Sequence, residues 1–100
     1  MLEYFKKLLC EELDGAEEYV KLALEFKSTY PEWSKIFLDM SANELNHATN
    51  IYKMADKSYN ETITPYKEVP QTLYNTWDCM VEKYADCSSK IKIMHEMYNK

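Results

Sequence analysis

Glycine is almost missing from this chain, with one residue in 100, and there are only three prolines. Turns draw heavily on both residues, so the shortage excludes an architecture with many turns and predicts long, uninterrupted helices. No stretch approaches the roughly 18 consecutive apolar residues of a membrane-spanning helix, and no membrane partner is expected. Residues Met1 to Leu9 hold Glu3, Lys6 and Lys7 within an amphipathic pattern. They lack the apolar run and small-residue cleavage site of a secretory signal. Positive charge is also short: 12 Lys plus Arg against 17 Asp plus Glu give a formal net charge of −5. Phosphate binding needs clustered basic residues, so nucleic acid is not an expected partner. Cysteine is present three times, at Cys10, Cys79 and Cys87, with no Cys-x-x-Cys pair. That excludes zinc-ribbon and thioredoxin-type sites. On one helix Cys79 and Cys87 would lie about 12 Å apart along the axis, too far for a disulfide. Three free thiols fit a reducing cytosol, and a cytoplasmic location is expected.

What remains is 46% hydrophobic and 29% charged, arranged in three helical stretches that make one domain of residues 1–100. The first spans about 2–27, with Phe5, Leu8, Leu9, Leu13, Ala16, Tyr19, Val20, Ala23 and Phe26 at three-and-four spacing. Ser28 to Pro31 breaks the pattern, and Pro31 with Glu32 opens a second helix over about 31–57. So short a connection makes the two helices antiparallel. Residues 58–70, with Asn60, Thr62, Thr64, Pro65 and Pro70, read as a linker. A third helix covers about 71–98, with Leu73, Trp77, Met80, Tyr84, Ser88, Ile91, Met94 and Tyr98 on its stripe. The predicted fold is all-α, an antiparallel hairpin plus a third helix. A chain this short buries a modest core and commonly leans on a partner or a metal.

Two ionisable residues interrupt the stripe of the second helix, which reads Trp33, Ile36, Phe37, Met40, Glu44, His47, Ala48, Ile51, Ala55. Buried charge is costly unless it is paired, hydrogen-bonded or on a metal. Glu44 and His47, three residues apart, are neighbours on one helical face. On the first helix Glu12 lies between Leu8, Leu9, Ala16 and Tyr19 and faces the same way, while Glu11 lines up with Lys7 and Glu18 on the outer side. Both glutamates sit near the middles of their helices, so antiparallel packing brings Glu12, Glu44 and His47 to one height. Mixed oxygen and nitrogen donors suit iron or manganese.

The segment Glu12-Leu13-Asp14-Gly15-Ala16-Glu17-Glu18-Tyr19 resembles the first-helix motif of the ferritin-like superfamily, as in bacterioferritin and rubrerythrin, with a ligand Glu followed seven residues later by Tyr. The segment Ala42-Asn43-Glu44-Leu45-Asn46-His47-Ala48 is similar to its second-helix Glu-x-x-His-Ala motif. The resemblance covers about Leu9 to Ala55. Full-length members carry the pair of motifs twice, whereas residues 66–100 hold no second Glu-x-x-His. The chain therefore looks like the short half-ferritins, including encapsulated ferritin. By that resemblance Glu12, Glu44 and His47 are metal ligands and Tyr19 is near the site. A ferritin-like bundle takes a Glu from each of two helices and a Glu-x-x-His from each of two more. A homodimer, or a larger even-numbered oligomer, would thus complete a di-iron centre that oxidises Fe(II) with dioxygen or peroxide. There is no rubredoxin-type cysteine set, and Met94 to Lys100 continues the helical pattern with no Gly-rich tail of the kind that docks into an encapsulin shell.

Other readings stay open on the residues alone. Glu44 and His47 could be a hydrogen-bonded pair without metal, and Glu11 could replace Glu12 if the first helix is rotated. Tyr19 could be plain core. His95, beside the acidic run Asp78, Glu82 and Asp86, is a weaker ligand candidate. The alternatives in function are a helical interaction module, or a structural site for zinc or manganese without turnover.

Overall fold

The computed structural model describes all 100 residues and contains three helices: α1 (Leu2–Phe26), α2 (Pro31–Ile63) and α3 (Gln71–Tyr98). The fold is all-α, with no strand. Pro31 occupies the first turn of α2 with Glu32 beside it, where a missing N–H is harmless and a negative charge meets the positive end of the helix.

A seam of small residues holds α1 to α2. Ser34, Ser41, Ala48 and Ala55 recur every seventh position on α2, and all are fully buried, as are Ala16 and Ala23 on α1. The Ser41 hydroxyl donates to the Ala16 carbonyl at 2.6 Å, and the Ser34 hydroxyl donates to the Ala23 carbonyl. A serine hydroxyl extends only one bond beyond Cβ, so these contacts require the two backbones to approach closely. Seven residues forward on α2 is seven back on α1, which is the register of an antiparallel pair. Larger apolar side chains, Leu9, Leu13, Met80 and Ile91, fill the space between this seam and α3.

The third helix runs parallel to α1. Their partners rise together: Thr76 donates to Glu3 at 2.8 Å, Lys83 pairs with Asp14 at 3.4 Å, Lys90 pairs with Glu17, and Lys27 donates to the Tyr98 carbonyl. Against α2 it makes few contacts, side-chain hydrogen bonds and aromatic stacking. Tyr52 stacks on Tyr84 with ring centres 4.2 Å apart, and Tyr59 on Trp77 at 5.1 Å.

Two expectations are corrected. The second helix does not stop at Lys57; it continues to Ile63. Tyr59 is buried beneath Trp77, and Ile63 packs on the same cluster. The polar residues that read as a linker return their hydrogen bonds within the helix: Asn60 to the Asp56 carbonyl, Thr62 to that of Ser58, Thr64 to that of Asn60. Nor is the α2 stripe that contains Glu44 and His47 one continuous buried face. Ala48, Ile51 and Ala55 are in the core, but Trp33 and Ile36 are 54% and 57% exposed. The small-residue seam offers the closer approach, so α2 turns that edge to α1 and leaves the adjoining edge outward.

The result is a rod 57 × 17 × 15 Å in which only 16 residues are buried. A chain of 100 residues packed as a sphere would bury far more, so much apolar surface stays on the outside.

Candidate metal centre

On the open edge of the α1–α2 hairpin, Glu12, Glu44 and His47 come together, each offering one ligand atom, with these atoms all within 4.8 Å of one another. His47 Nδ1 lies 3.5 Å from Glu12 Oε2 and 3.8 Å from Glu44 Oε1. Both distances are too long for a normal hydrogen bond. Glu12 Oε2 is shut off from solvent and has no hydrogen-bond partner. Buried polar atoms are nearly always satisfied, so this one calls for a further partner. The donor set, two carboxylates and an imidazole, fits iron or manganese.

The helices bring this about in simple ways. Glu44 and His47 share a face because they are three residues apart on α2. Glu12 reaches the same space from α1, at the level where Gly15 lies beneath the Glu44 carboxylate. A Cβ on Gly15 would stand 3.1 Å from Glu44 Oε2. The site is half-open to solvent: Glu12 and Glu44 are partly covered, but the His47 side chain is 55% exposed. It lies on the outward edge rather than in the hairpin seam, for the packing reason given above.

Charge in the site is frustrated. The Glu44 carboxyl is held above the ordinary carboxylate range, first by the hydrogen bond it exchanges with Glu12, then by partial burial and the negative charge of Glu12, while His47 pulls the other way. Two carboxylates held this close are the arrangement a cation relieves.

The remaining candidates fall elsewhere. Glu11 is exposed. Tyr19 stacks on Phe37 with ring centres 6.3 Å apart, two helical turns from Glu12, and its hydroxyl makes no hydrogen bond to the three converging residues. Asp78, Glu82 and Asp86 are exposed. The three cysteines are free thiols outside the cluster. His95 is tied to the other side of α2, with Nε2 2.9 Å from Ser41 Oγ. The Ser41 proton is committed to the Ala16 carbonyl, so His95 Nε2–H is the donor in this contact. Burial pushes its pKa down. The sequence pattern gave no role to Ser34 and Ser41, though their seven-residue spacing with Ala48 and Ala55 was there to be read.

The sequence matches the rubrerythrin family model over residues 3–100. No characterised protein and no solved structure gives a match. The match runs through both helices of the Glu/Glu/His cluster and on through α3 to the last residue. The chain belongs to the rubrerythrin family, among the ferritin-like di-iron proteins.

Proposed function

We propose that this chain is a ferroxidase: it binds Fe(II) through Glu12, Glu44 and His47, with a second copy completing the site, and Fe(II) is oxidised there by dioxygen or peroxide. The observation that carries the reading is the convergence of the three ligand atoms within 4.8 Å on an otherwise open face. Half of the ferritin-like inventory is present in one chain, and an isologous two-fold contact supplies the other half. The exposed Trp33 and Ile36 lie about two to three turns before Glu44 on the same helix and give such a contact an apolar surface. The charge count supports it too: four carboxylates from two chains balance two divalent ions.

Iron, when bound, supplies the one-electron couple. The protein's own residues do simpler work. Glu12 and Glu44 provide the negative charge that draws Fe(II) in, and carboxylate donors bind it in their ionised form. His47 adds a neutral nitrogen donor from the turn above Glu44, and its second ring nitrogen is free for an orienting partner. Tyr19 and Phe37 form an apolar floor further along the hairpin. With peroxide as oxidant, two Fe(II) release one electron each, and two protons complete two waters. The three free thiols support a cytoplasmic setting.

A second reading, a helical assembly or metal-holding module without turnover, draws on the exposed apolar side chains alone. Metal analysis and oxygen uptake separate the two. The ferroxidase reading expects about one iron per chain and Fe(II)-dependent consumption of dioxygen or peroxide, both lost in Glu44→Ala. A wild-type protein that stays metal-free, or that holds iron without consuming either oxidant, rules it out.

A further inference from the structure

Gly15 stands in the middle of α1, where glycine weakens a helix relative to alanine. No backbone reason requires it, since its φ is negative like that of every other residue. Nor does it admit the neighbouring helix backbone. The three heavy atoms nearest to where its Cβ would be all belong to Glu44: Oε2 at 3.1 Å, Cδ at 3.7 Å and Cγ at 3.7 Å. The missing methyl group is therefore filled by one side chain, and by the carboxylate end of it.

We propose that Gly15 is a positioning residue that keeps the space through which the Glu44 carboxylate lies against α1 beside Glu12, trading helix stability for cation affinity. The inference rests on the metal-centre reading above and adds a residue that touches no metal. The clash a methyl group would create is with the far end of a flexible, partly exposed side chain. Glu44 can move aside by a few tenths of an ångström, and the fold tolerates the change. What it loses is the carboxylate position that Glu12 and His47 converge on. The two effects of Gly15→Ala thus have opposite signs, which a merely structural glycine would not produce.

The test is thermal unfolding of the metal-free protein together with anaerobic calorimetric titration of Fe(II), on wild type, Gly15→Ala, Glu44→Asp and the double variant. Gly15→Ala is expected to raise the metal-free Tm by about 4 °C and to weaken Fe(II) binding about tenfold. In the Glu44→Asp background the carboxylate is one methylene shorter and no longer lies over residue 15, so adding Gly15→Ala should leave Fe(II) affinity unchanged. A wild type that binds Fe(II) and a Gly15→Ala variant that binds it equally well overturn the role of Gly15 and leave the metal centre standing. The same holds for an equal loss in both backgrounds, or for a fall in the metal-free Tm of Gly15→Ala. A wild type that binds no Fe(II) overturns the metal centre, and this inference with it.

Discussion

At the scale of single residues, Glu44 is the one under strain. Its folded pKa lies above the ordinary value of 4.5, first through the neighbouring Glu12 carboxyl, then through partial burial and the like charge its ionised form meets. A raised carboxyl pKa stabilises the fold at pH below the unfolded value, and that stabilisation is lost as pH rises through the folded value. At neutral pH the metal-free protein therefore carries the repulsion. Glu44→Gln should relieve it. Removing one like charge is worth on the order of 0.5 kcal/mol, or about 2–4 °C in Tm for a chain this size. The same variant should lose Fe(II) binding, because a neutral amide is a poor exchange for a carboxylate. Thermal unfolding with chelator, compared between the two proteins at pH 7, checks the first effect; an unchanged or lower Tm in the variant would contradict it. Glu12, Glu44 and His47 were legible as a group because polar residues at apolar positions stand out. The role of Gly15 was not, because no helix pattern shows which side chain from a neighbouring helix fills the gap over a glycine.

At the scale of helices, the buried serines of α2 do for α3 what aromatic stacking does further along. Ser41 donates to the Ala16 carbonyl and accepts from His95, so one hydroxyl ties all three helices. Ser34 repeats the arrangement with Ala23 and the Tyr98 hydroxyl, 3.2 Å away. Ser41→Ala would leave the His95 N–H unpaired and take the second hydrogen bond from the Ala16 carbonyl, a loss of about 1–3 kcal/mol, seen as a Tm lower by roughly 4–24 °C. The pH dependence follows from His95. Burial lowers its pKa from 6.5, so the neutral ring's contribution is fully present above 6.5 and lost as pH falls through the lower folded value. Wild type should lose more stability between pH 7 and pH 5 than His95→Gln, which cannot charge. Equal losses across that range would remove His95 from the account. Helix type and direction were readable from spacing, down to the Pro31 start. The end of α2 was not: Asn60, Thr62 and Thr64 look like loop residues until Tyr59 is placed under Trp77 and their hydrogen bonds turn inward.

For the whole molecule, the decisive fact is shape. A rod 57 Å long and 17 Å wide exposes apolar side chains along its length, and its Glu12, Glu44 and His47 cluster sits on the open edge, near mid-hairpin. The proposed two-fold arrangement couples metal to assembly, since each chain supplies half of the site. A ligand that binds only the assembled form stabilises it by about 2.7 kcal/mol at a hundred times its dissociation constant. Sedimentation of the protein with Fe(II) under nitrogen should show dimers or larger even assemblies, and chelator should shift them toward monomer. An assembly indifferent to chelator would separate the apolar contact from the metal.

By itself the sequence determined that the chain is helical, where the first hairpin turns, and which three side chains are out of place on an apolar stripe. Those properties are local: they follow from turn-forming residues, from the 3.6-residue period and from the chemistry of each side chain. Tertiary structure decided the rotation of α2 about its own axis. The seven-residue run of Ser34, Ser41, Ala48 and Ala55 admits the α1 backbone more closely than the bulkier neighbouring edge does. Packing against α1 chose that edge, and in choosing it left Glu44 half-covered and His47 exposed on the adjoining one.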